Sequence, residues 1–344
     1  MKVITRTEIV SDITDFNEEI LPYFFSSGYE LFSTRLNNDK YSLFYSESVN
    51  ALMPVRSYVV KTFTLLQIIY PPITITGERL SEKNEKQFLE EFVELVKKQK
   101  LGARIIQSYS YAVFKSVPNS SISCPFGTYW LDLKNHTEDE LFERIDPKGR
   151  NKIRNAQKNG VVLKWENRLI DDFYLLYKDT MERAKLYYDS IEHFKEMAVC
   201  LSKEKILCGV SYLNDKPQAA LFIPYTSYGG YYLHGAMAKK MDNPGAMDYL
   251  QWEAIRILKT KGVSLYDFVG ARLSNVEGTK LEGIQNFKKK FGGNLMQGYL
   301  WKMDIDILQC KIFDGLLKVN RTLKGGKGYK DIIDEELEKM DNDV

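Results

Sequence analysis

Between residues 205 and 269 the hydrophobic pattern changes period twice, and few architectures accommodate that. Lys205–Leu213 and Gln218–Tyr225 alternate as strands around Asn214-Asp215-Lys216-Pro217, which reads as a hairpin. Gly230–Ala236 reads as a third strand. Met247–Lys261 then takes the helical period, with Met247, Leu250, Ala254, Ile257 and Leu258 on one face and Gly262 as its stop. Val263–Val269 returns to strand. A hairpin-rich sheet interrupted by one long helix is a mixed α/β (α+β) order, and it excludes a doubly wound parallel sheet.

The remainder of the chain fits that order. Tyr41–Ser46, Ala51–Val55 and Val59–Ile69 read as strands, and Glu85–Lys100 as an amphipathic helix closed by Gly102. Arg104–Phe114 reads as another strand. Residues 116–128, rich in Pro, Asn, Ser and Gly, read as a loop and a domain boundary. Tyr129–Leu133 opens a second unit, and Thr137-Glu138-Asp139-Glu140 has the form of a capping box. Pro147 and Gly149 are expected to break the pattern before a short basic helix, Asn151–Asn159. Helices over Asp171–Lys185 and Ile191–Ser202 follow. Gly325-Gly326-Lys327-Gly328 reads as a joint, and Asp331–Met340 as a charged surface helix or frayed end with little to bury.

The chemistry available is bounded by what is missing. The 344 residues contain no HExxH, paired CxxC, EF-hand loop, Walker A run, dinucleotide fingerprint or G-x-S-x-G elbow. Four cysteines without a framework point to free thiols in a reducing compartment, and three histidines to no His-rich metal site. The start of the chain lacks a signal-peptide pattern, and the apolar run Val59–Ile75 is too interrupted to span a bilayer. With a net charge of only +2, any phosphate or RNA contact must come from local clustering. Catalysis by positioning and charge stabilisation is what remains.

Four clusters can carry it. Arg150, Arg154 and Lys158 repeat every four residues, forming either a phosphate-binding stripe or a solvated helix face. In Gly283–Gly293 (GIQNFKKKFGG), Phe287 and Phe291 stack on one helical face with Lys288, Lys289 and Lys290 between them. A lysine there either stabilises an oxyanion or is an ordinary surface cation. Asp267, at a strand end before Val269-Gly270, is either a binding carboxylate or a turn cap. Strand alternation places Tyr232 and His234 on one side, as pocket-lining groups or as core.

Several stretches then fall in a familiar order: Arg150–Val161 (RNKIRNAQKNGV), Asp172–Arg183 (DFYLLYKDTMER), Tyr231–Ala236 (YYLHGA), Tyr249–Gly262, Tyr266–Ala271 (YDFVGA) and Gly283–Gly293. Over about residues 130–300 the chain resembles the Fem family of peptidyl (aminoacyl) transferases, within the GNAT superfamily. The resemblance implies two tandem GNAT-like subdomains flanking a cleft: residues 1–127 with a returning segment, 301–344, and residues 128–300. It implies an aminoacyl-tRNA donor, a lipid-linked or nucleotide-linked envelope precursor as acceptor, no cofactor and no DNA partner. It implies a cytoplasmic location, with peripheral association at the inner face of the membrane left open. Phe287-Lys288 matches the family's catalytic pair, and Arg183 falls near where members hold precursor phosphates. No helical-arm insertion is present, and residues 26–45 offer only Arg35 and Lys40 toward an acceptor. Two alternatives stand beside this. An acyl-CoA N-acyltransferase would need a pyrophosphate loop, where Lys239–Ala246 has one glycine and a proline. A non-catalytic RNA- or glycan-binding module would use the basic helix equally well.

Overall fold

The hairpin forms as expected in the computed structural model, which describes residues 1–12, 16–37, 39–106, 109–274, 276–323 and 331–341. Its strands are Ile206–Leu213 and Lys216–Pro224. Asn214 and Asp215 both take positive φ, 50° and 59°, the twist-matched geometry of a two-residue hairpin turn. Pro217 therefore lies in the strand rather than in the loop. It sits where the register shifts between Pro217 and Ala219, and an irregularity tolerates its missing N–H.

This hairpin is the centre of a four-stranded sheet ordered His234–Met237, Lys216–Pro224, Ile206–Leu213, Val162–Trp165. Helices cover both faces, so the middle strands are buried on both sides. Ala220 and Phe222 join the core under helix Ile170–Ala184 with Phe173 and Tyr177. Leu221 and Ile223 join the core under helix Ala246–Thr260 with Leu250, Ala254 and Leu258.

A second, eleven-stranded sheet runs through the rest of the molecule. Its path is Lys2–Ile4, Lys40–Ser46, Ala51–Val60, Phe63–Ile68, Arg104–Ile106, Asn294–Asp304, Ile122–Asp132, Leu265–Asp267, Gly229–Tyr231. Asn294–Asp304 pairs along Ile122–Asp132 and reaches Arg104–Ile106 through Met303 and Asp304. The expected division at residues 127/128 falls within the strand Ile122–Asp132, and Asn294–Asp304 is the strand that joins the two halves of this sheet. The mixed α/β class read from the sequence is the class observed.

Several local expectations are corrected. Val59–Ile69 is not one strand, because Lys61 at φ 57° turns the chain into a hairpin between Val60 and Phe63. Arg104–Phe114 is strand only at Arg104–Ile106, and Phe114 pairs separately with Tyr299. The loop expected to run to residue 128 ends at Ile122, since Pro125 and Phe126 sit opposite Tyr299 and Gly298 in a regular ladder. A Cβ on Gly298 would stand 2.1 Å from the Phe114 carbonyl, so glycine is required there. Pro147 and Gly149 do not break the basic helix; it begins at Pro147, with Asp146 as its cap. The tail helix Ile332–Asp341 is not free surface, because Ile333 and Glu336 are fully buried against the large sheet. The Gly325–Gly328 joint lies outside the described residues.

The strand expected over Gly230–Ala236 is the correction that matters most for function. Gly229–Tyr231 runs parallel to Leu265–Asp267 in the large sheet, while His234–Met237 pairs with Lys216–Pro224 in the small one. A tight turn, closed by the Leu233 N–H on the Tyr231 carbonyl at 2.8 Å, separates them. The two sheets part at Tyr232, beside the C-terminal end of Leu265–Asp267.

Candidate active site

Asp267 ends the last strand before that parting and is 1% exposed. Its Oδ1 accepts from the Thr128 hydroxyl and, at 2.8 Å, from the Val269 N–H. Its Oδ2 is buried without a hydrogen-bond partner, and so is Nε1 of Trp130, its register partner on the neighbouring strand. Arg79 lies over the Trp130 ring at 5.0 Å. Burial disfavours the charged form and raises the Asp267 carboxyl to about 6, against the pull of Thr128, Val269 and Lys288.

After Asp267 the backbone turns sharply. Val269 has φ 46° and Gly270 φ 60°. Glycine adopts this region freely, but a β-branched residue there is strained, and such strain is retained where the surroundings over-determine it. The turn aims the carbonyls of Val269 and Gly270 at Lys288, whose Nζ donates to both, the latter at 2.5 Å. Lys288 is 6% exposed. Desolvation lowers its ammonium to about 8, and Asp267 opposes that shift. An ammonium has three N–H groups, so one remains for a ligand.

The helix that supplies Lys288 is Lys280–Lys290, capped by the Thr279 side chain. Phe287 and Phe291 stack edge-on along one face, 5.2 Å between centroids, as the four-residue spacing predicts. Phe291 packs on Phe268, and Phe287 lies 6.3 Å from the Tyr232 ring. Lys289 is exposed. Lys290, read as a solvated charge, instead pairs with the buried Asp248 and lies over both rings, 4.7 and 5.4 Å from their centroids. Its stem is captured because Asp248 sits in the first turn of helix Ala246–Thr260, facing this helix.

Tyr232, Asp267, Phe287 and Lys288 are thus brought together. Tyr232 donates its backbone N–H to the Asp267 carbonyl at 2.9 Å, and its hydroxyl lies over Gly235, where any Cβ would collide. His234 is separated from Tyr232 by the strand break. Its ring packs edge-on against Tyr177 and Phe194, 5.2 and 5.1 Å away, and burial beside His193 pulls it down to about 3. Neutral and aromatic-packed, it is a core histidine. Arg183 is tied to Asp179 at 2.9 Å and to the Met237 carbonyl at 2.7 Å, at the far end of the His234–Met237 strand.

The basic helix Pro147–Lys158 abuts the site helix, with the Asp146 N–H donating to the Lys290 carbonyl at 2.9 Å. Two of its expected stripe residues are locally engaged: Arg150 donates to the Glu143 carbonyl at 2.7 Å, and Arg154 lies over Phe142 at 5.3 Å. Lys158 is exposed. Arg35, on the first half of the chain, pairs with Glu196 at 3.3 Å. Thr128 and Trp130 were missed in the sequence. The only signal for them was the strand itself, whose start was placed one residue too late to include Thr128.

Comparison with known proteins bears on this site. Residues 108–217 match the model of the FemAB family. The match covers Thr128, Trp130, the basic helix and Arg183, while Asp267 and Lys288 lie beyond it. Searched against curated proteins, the chain finds no match. Among solved structures it is similar to a crystal structure of FemX, with TM-score 0.67 and 13% identity over 91% of this chain and 99% of that one. It is also similar to the C-terminal domain (DUF2156) of a candidate lysylphosphatidylglycerol synthetase from Agrobacterium fabrum, with TM-score 0.52 and 15% identity over 87% and 92%. A conserved protein of unknown function from Bacteroides thetaiotaomicron aligns with TM-score 0.52 and 11% identity over 88% and 99%. At such identities these structures speak to the fold alone. The FemAB-family match supports a function of the aminoacyltransferase type.

Proposed function

We propose that this chain moves an amino acid from aminoacyl-tRNA to an amine of a peptidoglycan or other cell-envelope precursor. The observation that carries the reading is the buried Lys288 ammonium, held by two backbone carbonyls with one N–H left over. The acceptor nitrogen attacks the ester carbonyl carbon, and negative charge develops on the carbonyl oxygen. Lys288 donates its remaining N–H to that oxyanion. Collapse re-forms the carbonyl and breaks the bond to the ribose oxygen, which leaves with a proton, while the nitrogen loses one. Asp267 keeps Lys288 charged in a desolvated site. Phe287 and Phe291 fix the helix so that Nζ does not wander. The exposed Lys158, with Lys148 and Lys152, offers cations to the tRNA phosphates, and the Tyr232 ring lies beside Phe287 at the site.

An acyl-CoA donor is less well served. A helix N-terminus receptive to pyrophosphate offers bare amides, but the first turn of Ala246–Thr260 carries the buried carboxylate of Asp248. The Lys152 carbonyl also closes on its cap residue Gly245, 2.3 Å from where a Cβ would be. The deciding experiment incubates the protein with labelled aminoacyl-tRNAs and, separately, labelled acyl-CoAs, and follows label into a lipid-linked precursor pool. Label moving only from acyl-CoA, or from neither donor, rejects the reading.

The two site groups also set a pH profile. Activity requires Asp267 as carboxylate and Lys288 as ammonium, so kcat/KM is expected to fall below about 6 and again above about 8. Asp267→Asn removes the acid limb. Because Asp267 raises the Lys288 value, the same variant moves the alkaline limb to lower pH. An unchanged profile in Asp267→Asn would remove Asp267 from the site.

A further inference from the structure

The helix Ile307–Leu323 is apolar on two opposite sides, and only one of them is covered. On the inner side the Cys310 thiol donates to the Ala103 carbonyl at 3.2 Å, Phe313 meets Phe63 edge-on at 5.2 Å, and Asp314 pairs with Arg104 at 2.8 Å. Helical spacing places Leu308, Ile312 and Leu316 on the other side, and they are 70%, 51% and 41% exposed. Three large aliphatic side chains in a row at four-residue intervals form a continuous stripe, not scattered surface residues.

Cations lie near the start of this stripe. Ile307, at its start, shares a surface cavity of ≈ 660 Å³ with Lys97 and Lys100, from the end of helix Glu82–Gln99. Lys98 adjoins Lys97 in the chain, Lys311 lies on the helix itself, and both are exposed. The nearby acids are one fewer than the cations: Asp304 and Asp314 share Arg104, Asp306 caps Gln309 at 3.0 Å, and Glu94 is exposed one turn before Lys97. Among the described residues no helix is long and apolar enough to cross a membrane.

We propose that this face docks peripherally on an anionic lipid surface. The aliphatic stripe enters the headgroup boundary and the lysines meet the lipid phosphates, the division of labour of an interfacial helix. A second copy of the chain is a poorer occupant, because the same lysines would meet like charge. The proposal does not depend on which donor the active site uses, and its test contains neither donor nor acceptor.

The full chain is sedimented with vesicles of phosphatidylglycerol and phosphatidylcholine, and with phosphatidylcholine alone. Binding is expected only to the anionic vesicles, and it is expected to weaken as salt rises from about 0.1 to about 1 M, where the Debye length shrinks from ~10 to ~3 Å. Leu308→Gln, Ile312→Gln and Leu316→Gln together are expected to lower the partition at least tenfold with an unchanged circular-dichroism melt. Lys97→Gln with Lys100→Gln is expected to lower it roughly fivefold per lysine on anionic vesicles. Absence of binding by the natural chain, equal binding by the triple variant, or a dimer in sedimentation velocity that the triple variant abolishes would each overturn the proposal.

Discussion

Lys288→Met is expected to reduce kcat by about 10²–10³-fold while leaving KM for the donor within a few-fold. Methionine fills nearly the same buried volume, so the change isolates the ammonium. A donor that acts on the developing oxyanion works in the transition state more than in the ground state, and its loss therefore falls on kcat. The variant also leaves the Val269 and Gly270 carbonyls without their shared partner, a cost of about 1–3 kcal/mol each when buried. Removing a desolvated charge offsets part of that cost, so the fold is expected to survive, as a thermal melt would check. Full turnover in Lys288→Met would end the assignment of this lysine to the chemistry. Lys289→Met serves as the control, since that side chain is exposed.

Arg272→Ala is expected to produce the largest loss of stability. Arg272 follows the Val269-Gly270 turn by two residues and reaches the tail helix, binding Glu336 at 2.8 Å and Glu335 at 2.7 Å. Glu336 is fully buried, and Ser274 and Lys339 are its other partners. Stranding a buried carboxylate costs about 3–5 kcal/mol, and the lower end applies because Lys339 remains. For a chain of this length, ~3 kcal/mol corresponds to a fall in Tm of about 4 °C. Burial alone would raise the Glu336 carboxyl, but Ser274, Lys339 and Arg272 together hold it below the usual range. A depressed carboxylate contributes stability that is complete above its unfolded pKa and is lost as pH falls through the folded value. The difference between Arg272→Ala and the natural chain is therefore expected to be full at neutral pH and to shrink in acid. A constant difference down to pH ~3 would assign the loss to packing instead.

The parts of the fold legible in the sequence are those set by neighbours in the chain. The Asn214-Asp215 turn, the Thr137 capping box and the helix stopped by Gly262 all formed. Failures came where a distant segment decides. Pro125 and Gly127 look like loop residues until the strand Asn294–Asp304 arrives to pair with them. The tail looked too charged to bury, and no local rule reveals that Arg272 and Ser274 wait for Glu336. At the site, the Phe287/Phe291 spacing marked the helix face correctly, and Lys288 was singled out by resemblance rather than by spacing. Alternation could not separate Tyr232 from His234, because the strand that would alternate is shared between two sheets.

The carbonyls that hold Lys288 have one more consequence. A tetrahedral ammonium pinned at two of its corners has no freedom left in the third, so its remaining N–H points along a single line fixed by the Val269-Gly270 turn. An ester carbonyl oxygen that meets that line is fixed at one point in the site, while rotation about the line stays free. The left-handed turn at Val269 would then act as a gauge of where the oxyanion forms, with its position written into two backbone angles rather than into any side chain that touches the substrate.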